Sequence, residues 1–241
     1  MDDYVRYRPS YPSEIVSLLA EECGLTASSH IADVGSGTGF LSKLFADAGY
    51  RVTGVEPNAD MRAAGDRLLA AYPNFSSVSG RAEATGLPDA SVDLVTAGQA
   101  FHWFDPAATR REFARILRPP RWVALLWNER LVEESDFLRR YEALLQGYAP
   151  QYRVIDHRRI DAKAITEFFG HNRWKAAHFP NPQNLDLPAL RGRFLSSSYA
   201  PLPGDENYQP MIDSLERLFR ETQVDGQVNF LHRTNVFVGA L

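Results

Sequence analysis

Residues 31–39, Ile-Ala-Asp-Val-Gly-Ser-Gly-Thr-Gly, carry the spacing in this chain that most clearly suggests chemistry. Glycines at 35, 37 and 39 let a backbone turn sharply and approach a ligand with no Cβ in the way. The segment follows a strand pattern and opens a helical one, the context in which a glycine-rich turn means nucleotide binding. The dinucleotide fingerprint would need its third glycine one position later, where this chain has Phe40. Asp33, two positions before the first glycine, would repel a pyrophosphate and suits a cationic group. Glu56 stands 17 positions after Gly39, at the end of the next strand pattern, where a carboxylate can accept both hydroxyls of a ribose. The implied ligand is nucleoside-like, with a ribose and a cationic rather than a phosphate arm. S-adenosylmethionine fits that description. A nicotinamide-dependent oxidoreductase is the competing reading, and Asp33 and Phe40 count against it.

These residues need a scaffold, and the periodicity supplies one. Strand patterns at 30–34, 51–55, 75–79, 92–97 and 122–127 alternate with helical patterns at 12–23, 40–48, 59 onward and 106–117. Such alternation predicts an α/β fold, a mostly parallel sheet with helices on both faces. The second half differs: helices are expected at 133–148, 187–196 and 208–222, a short helix or turn at 161–170, and strands at 174–179 and 228–238. Six prolines between 180 and 210 suit a partly irregular cap, with the final strand rejoining the first-half sheet.

The chain resembles the class I S-adenosylmethionine-dependent methyltransferases, specifically the type 11 small-molecule group that includes trans-aconitate methyltransferase-like proteins. The resemblance rests on DVGSGTG (33–39), VTGVEPNADM (52–61), GRAEATGLPDASVDLV (80–95), GQAFHWF (98–104), YRPSYP (7–12) and SSSYAPLP (196–203), and so covers nearly the whole chain. It implies a Rossmann-like, doubly wound, seven-stranded, mostly parallel sheet with an antiparallel last strand and a partly helical cap. It also implies a single domain over 1–241: an N-terminal lid and helix to about 30, a cofactor-binding core at 31–128, a cap at about 129–210, and a last helix and strand from about 211. In similar proteins the glycine turn, here Gly35, Ser36 and Gly37, holds the methionine end of the cofactor, and Asp33 meets its amino group. Glu56 would take the ribose hydroxyls, with Pro57 and Met61 on the adenine. Where many relatives carry an aspartate for the adenine amino group, this chain has Arg81, which cannot accept a hydrogen bond, so adenine recognition rests on Ala82 backbone groups or on Glu83, or is looser. Gln99 and Ala100 would line the sulfonium side. His102 is the candidate general base, Trp103 a pocket wall, and Tyr7, Arg8 and Tyr11 belong to a segment that in similar proteins folds over the active site. Arg8 could clamp a substrate carboxylate bidentately.

Methyl transfer from a sulfonium needs alignment and water exclusion more than acid–base work. A carboxylate acceptor needs no base; a phenol, amine or carbon acid does. A non-catalytic S-adenosylmethionine-binding protein is the alternative function. Composition narrows the field further. The 241 residues are 44% hydrophobic and carry a formal net charge of −4, which gives no bulk attraction to nucleic acid or anionic membrane. The one cysteine, Cys23, cannot form an internal disulfide, and no histidine–carboxylate cluster has metal-ligand spacing. Segment 97–100 reads Ala-Gly-Gln-Ala, without the Asn/Asp-Pro-Pro-aromatic turn typical of nucleic-acid amino-methyltransferases. No apolar run reaches membrane-spanning length and the N-terminus lacks a secretory pattern, which predicts a cytoplasmic monomer or homodimer acting on a small-molecule methyl acceptor. Three lysines against 23 arginines suggest genome bias on solvated faces, including Arg110, Arg111, Arg115, Arg118 and Arg121.

Overall fold

The computed structural model describes residues 8–149, 152, 162–197 and 199–241. Nine strands are described among them: β1 (His30–Val34), β2 (Arg51–Val55), β3 (Phe75–Val78), β4 (Val92–Gly98), β5 (Leu117–Arg130), β6 (Lys175–Pro180), β7 (Gln183–Leu185), β8 (Val228–Phe230) and β9 (His232–Ala240). The helices are α1 (Glu14–Cys23), α2 (Phe40–Asp47), α3 (Ala59–Leu68), α4 (Pro106–Ile116), α5 (Asp136–Tyr148), α6 (Ala162–Phe169), α7 (Leu187–Leu195) and α8 (Tyr208–Thr222). No described helix is long and apolar enough to cross a membrane.

Seven strands form one sheet in the order β3-β2-β1-β4-β5-β9-β6, mostly parallel with one antiparallel strand. Every residue of β1 is buried, as expected of a central strand covered on both faces. β1 pairs in parallel with β2 on one side and β4 on the other, so the winding direction reverses between β1 and β4. Ligands of such sheets collect outside the carboxyl ends of the strands at that reversal. The glycine turn leaves β1 at that end, and Gln99 leaves β4 there.

The chain divides into two compact units. One comprises the described residues of 10–127, 162–179 and 234–241, and its core has two parts. Phe101, Phe113, Ile165, Phe168 and Phe169 pack with Ala32, Val34 and Val95. Ile15, Leu19, Leu41 and Phe45 pack with Ile31 and Leu94. The other unit takes the described residues of 1–9, 128–159 and 180–233, with its own core of Phe137, Tyr141, Leu145, Phe194, Leu215 and Phe230. β5 and β9 each run out of the first unit and end, or begin, in the second.

The sequence reading needs correction in the last strand. A single strand over 228–238 was expected, but the chain breaks at Leu231. β8 pairs antiparallel with β7, Gln183 opposite Phe230 and Leu185 opposite Val228, in a separate two-stranded sheet. Only β9 joins the large sheet. Val228 and Phe230 are buried in the second unit's core while Val236 and Val238 are buried in the first, so one apolar run serves two cores. β5 also exceeds the predicted 122–127, beginning directly where α4 ends.

Candidate active site

The carboxyl ends of β1, β2 and β4 bring most of the predicted residues of the first unit together. Gly35 and Gly37 have φ of +71° and +56°, the left-handed region that glycine adopts without strain. A Cβ on Gly35 would lie 2.5 Å from the Ala100 Cβ, so the turn sits directly against the residue after β4. Gly37 donates its N–H to Glu56 Oε2 (2.9 Å), and Asn58 N–H donates to Oε1 (2.9 Å). Glu56 is thereby fixed across the turn by backbone donors on both oxygens. Asn58 also caps α3, accepting from the N–H groups of Asp60 (3.0 Å) and Met61 (3.1 Å), which sets the start of the helix that carries Met61. The Met61 methyl lies 3.6 Å from where a Gly37 Cβ would be. Pro57 is exposed beside it and Ser36 is half-buried.

Asp33 is 1% exposed. Its Oδ2 accepts from Ser42 Oγ (2.6 Å) and its Oδ1 from Thr96 Oγ1 (3.3 Å). Burial pushes its carboxyl up to about 6, opposed by those two hydroxyl donors. A carboxylate held here in low dielectric gains strongly from a nearby cation. Neither Ser42 nor Thr96 was singled out in the sequence. Their spacing from Asp33 gives no signal, because α2 and β4 deliver them from different directions.

The turn after β3 is tight. Arg81 and Ala84 exchange backbone hydrogen bonds (3.1 Å each way), with buried Ala82 inside the turn and Arg81 exposed. Glu83 Oε1 accepts from Asp105 N–H (2.9 Å), and Asp105 in turn caps α4 through Ala108 N–H (2.8 Å). Glu83 therefore has a structural task that ties this turn to the loop after β4.

Gln99 has φ of +56°, uncommon for a residue with a side chain, and it donates its N–H to Leu126 O (3.0 Å). A 3-10 turn, Phe101–Trp103, follows. Buried Phe101 anchors it edge-on against Phe168 at 4.9 Å between centroids. His102 lies between Trp103 (4.8 Å) and the edge of Trp127 (5.2 Å), the latter a neighbour that sequence spacing did not reveal. Trp103 is 70% exposed, the indole least covered by the fold. Tyr11 reaches Gly98 at the end of β4, where a Cβ would overlap the phenol hydroxyl. Arg8 belongs to the second unit, where Nη2 donates to Ser196 O (2.9 Å). Tyr7 lies outside the described residues. Arg110, Arg115 and Arg118, on and after α4, are bonded within the protein. Arg115 meets Glu112 (2.7 Å) and Asp89 (2.5 Å), Arg118 meets Asp93 (2.9 Å), and Arg110 donates to Phe169 O (3.2 Å). Among the described residues no group of three or more His, Cys, Asp or Glu is placed to hold a metal.

Comparison with known proteins agrees with this architecture. A methyltransferase-domain family model matches residues 32–125. An uncharacterized methyltransferase of Mycobacterium tuberculosis is 41% identical over 127 residues, 53% of this chain and 49% of that protein. The chain thus spans about half the length of such curated relatives. An uncharacterized methyltransferase of Schizosaccharomyces pombe is 36% identical over 232 residues, 95% of this chain and 90% of its own length. Among solved structures, one described as a methyltransferase from an antibiotic biosynthesis pathway of Anabaena variabilis shares the fold, with TM-score 0.64 and 23% identity over 96% of this chain and 98% of that one. Geranyl diphosphate C-methyltransferase of Streptomyces coelicolor, solved with S-adenosyl-L-homocysteine, superposes with TM-score 0.52 and 15% identity over 95% of this chain and 77% of that one. With a relative matched over nearly its full length and the glycine turn, Asp33 and Glu56 assembled at the sheet's reversal point, the chain belongs to the S-adenosylmethionine-dependent methyltransferase family.

Proposed function

We propose that this protein transfers a methyl group from S-adenosylmethionine to a small molecule bearing a carboxylate or hydroxyl. The observation that carries the cofactor half of the reading is Glu56, pinned by Gly37 N–H and Asn58 N–H beside the turn. The residues fit the cofactor chemically. Glu56 offers carboxylate oxygens at the strand end where a diol is held, Asp33 supplies negative charge under the turn, and Gly37 adds no side chain above it. Gly35, Ser36 and Gly37 would carry the methionine end, Glu56 the ribose, and Pro57, Met61 and Ala82 the adenine, with Gln99 and Ala100 on the sulfonium side. Glu83 supports adenine indirectly, since its Oε1 already accepts from Asp105 N–H.

When bound, the cofactor supplies an electrophilic methyl on a sulfonium. The chain's own contribution is to position donor and acceptor and to keep water out. Ala100 and Gln99 fix the wall after β4, and Tyr11 closes on Gly98. For a hydroxyl acceptor, His102 takes the proton at a ring nitrogen; for a carboxylate it acts as lining. Trp103 offers an aromatic face to an acceptor. The partner is then a small acceptor and not nucleic acid, in a cytoplasmic monomer or homodimer.

The decisive assay is a methyl-transfer screen against pooled carboxylic acids and phenols, reading S-adenosylhomocysteine formation. Turnover with any member supports the reading. Cofactor binding without turnover across the pools favours the non-catalytic alternative.

A further inference from the structure

Asp33 lies in the sheet with register partners Gly54 on β2 and Thr96 on β4. β2 gives it no side chain at that level, and Ser36 Oγ lies 2.9 Å from where a Gly54 Cβ would be. Its polar neighbours are hydroxyls. Ser42 Oγ, from α2, donates to Oδ2 at 2.6 Å, and Thr96 Oγ1 donates to Oδ1 at 3.3 Å. Ser42 and Thr96 are themselves fully buried. α2 begins after Gly39, which offers no side-chain cap. Asp33 supplies negative charge there instead, and the Ser42 N–H favours its ionised form.

Burial drives a carboxyl towards its neutral form, and the negative charge of Glu56, just past β2, pushes Asp33 the same way. The Ser42 hydroxyl, then that of Thr96, opposes both. The cations on the surrounding elements are engaged elsewhere. Lys43 on α2 pairs with Asp47 (2.7 Å), and Arg62 on α3 donates to Glu56 O (2.9 Å). Arg118, at the start of β5, pairs with Asp93 at the far end of β4 (2.9 Å). The distinction matters for a ligand. A lysine or arginine partner would cancel the charge of Asp33, whereas a hydroxyl stabilises that charge without neutralising it.

We propose that Ser42 and Thr96 are positioning residues for cofactor binding: from α2 and β4 they keep Asp33 charged without cancelling its charge, so that it attracts the protonated amino group of the cofactor. Neither hydroxyl has to touch the cofactor. Each donates to a different oxygen, so the carboxylate is held between a helix and a strand. A neutral Asp33 would carry its own proton on one of those oxygens and give up one of the two bonds it accepts. The Ser42 bond is the shorter and carries the larger share. The proposal rests on the methyl-transfer reading above.

S-adenosylhomocysteine keeps the amino group and lacks only the methyl. Its affinity for the full chain, measured by calorimetry between about pH 5 and about pH 8.5, tests the proposal. Wild type is expected to lose affinity as pH falls through about 6. In Ser42→Ala that midpoint should rise by about 1 to 2 pH units, the loss of one hydrogen bond to a charged group, and in Thr96→Val by less. At the high-pH limit both variants should approach wild-type affinity. Thr96→Ser keeps the hydroxyl and should restore the wild-type midpoint, which separates the lost bond from altered packing. NMR of the Asp33 carboxyl carbon, without ligand, reads the same midpoints directly. If Ser42→Ala does not fold, Thr96→Val and Thr96→Ser carry the comparison. A carboxyl midpoint that stays put in the variants, or an affinity lowered equally at every pH, overturns the proposal. Glu56→Ala, titrated at the high-pH limit, separates it from the reading on which it rests. If that affinity equals wild type, the methyl-transfer reading fails, wherever Asp33 titrates. If Glu56 matters and the carboxyl midpoints move while affinity does not follow them, that reading stands and this proposal falls. No binding to wild type would remove both.

Discussion

Asp33 gives the site its own pH signature. In the fold its carboxyl titrates near 6 because it is buried, against 3.8 in an ordinary environment. The folded state thus binds the proton more tightly than the unfolded chain. That contribution is fully present below about pH 4 and is lost as pH rises through 6, on the order of 3 kcal/mol in total. Asp33→Asn should remove this slope and raise stability at pH 8, as denaturant titrations at pH 4 and 8 would register. Ligand binding should run the other way. If Asp33 serves a cation, S-adenosylmethionine affinity in wild type should fall below pH 6, and Asp33→Asn should be weak at every pH. Glu56→Ala should weaken the cofactor by ~1–3 kcal/mol through the lost acceptors, measured by calorimetry; an unchanged affinity would remove Glu56 from the site. His102→Ala should slow the chemical step ~10²–10⁴-fold for a hydroxyl acceptor while cofactor affinity holds. A loss under about tenfold in single-turnover kinetics would leave His102 as wall rather than base.

Among the elements, the β1 turn and the chain after β4 depend on each other. Gly35 at φ +71° lies where a Cβ would come within 2.5 Å of Ala100. Gly35→Ala should therefore cost ~1–3 kcal/mol of stability through strain and displacement, and reduce cofactor affinity as Ala100 moves. A thermal melt and a titration of the same variant check both. The turn was legible in the sequence because every part of it is local: glycine at the positions that need a left-handed backbone, a carboxylate before it, an acid at the next strand end. The Asn58 cap of α3 is equally local, its side chain reaching only two and three residues ahead. The break at Leu231 was not legible, because Val228–Val238 keeps one strand-like pattern across it. Nothing local distinguishes residues destined for one core from those destined for another.

For the whole molecule, cofactor binding and stability are linked. A ligand that binds only the folded state stabilises by mass action, ~2.7 kcal/mol at a hundred times its dissociation constant. S-adenosylhomocysteine should raise the melting temperature of wild type but not of Glu56→Ala at the same concentration. An unliganded Glu56→Ala melting far below wild type would mean that the substitution damaged the fold rather than the site. The sequence by itself determined the α/β class, the order of the first five strands, the glycine turn and the acids beside it, since all follow from periodicity and from spacings of a few residues. It also pointed to Arg8 as an arginine unlike the rest. Only the tertiary structure decided that Ser42 and Thr96 hold Asp33 and that Trp127 borders His102. Those partners come from elements far apart in the chain. Their meeting is fixed by strand order and by which core each apolar face enters, and such contacts leave no period or motif for a linear reading to find.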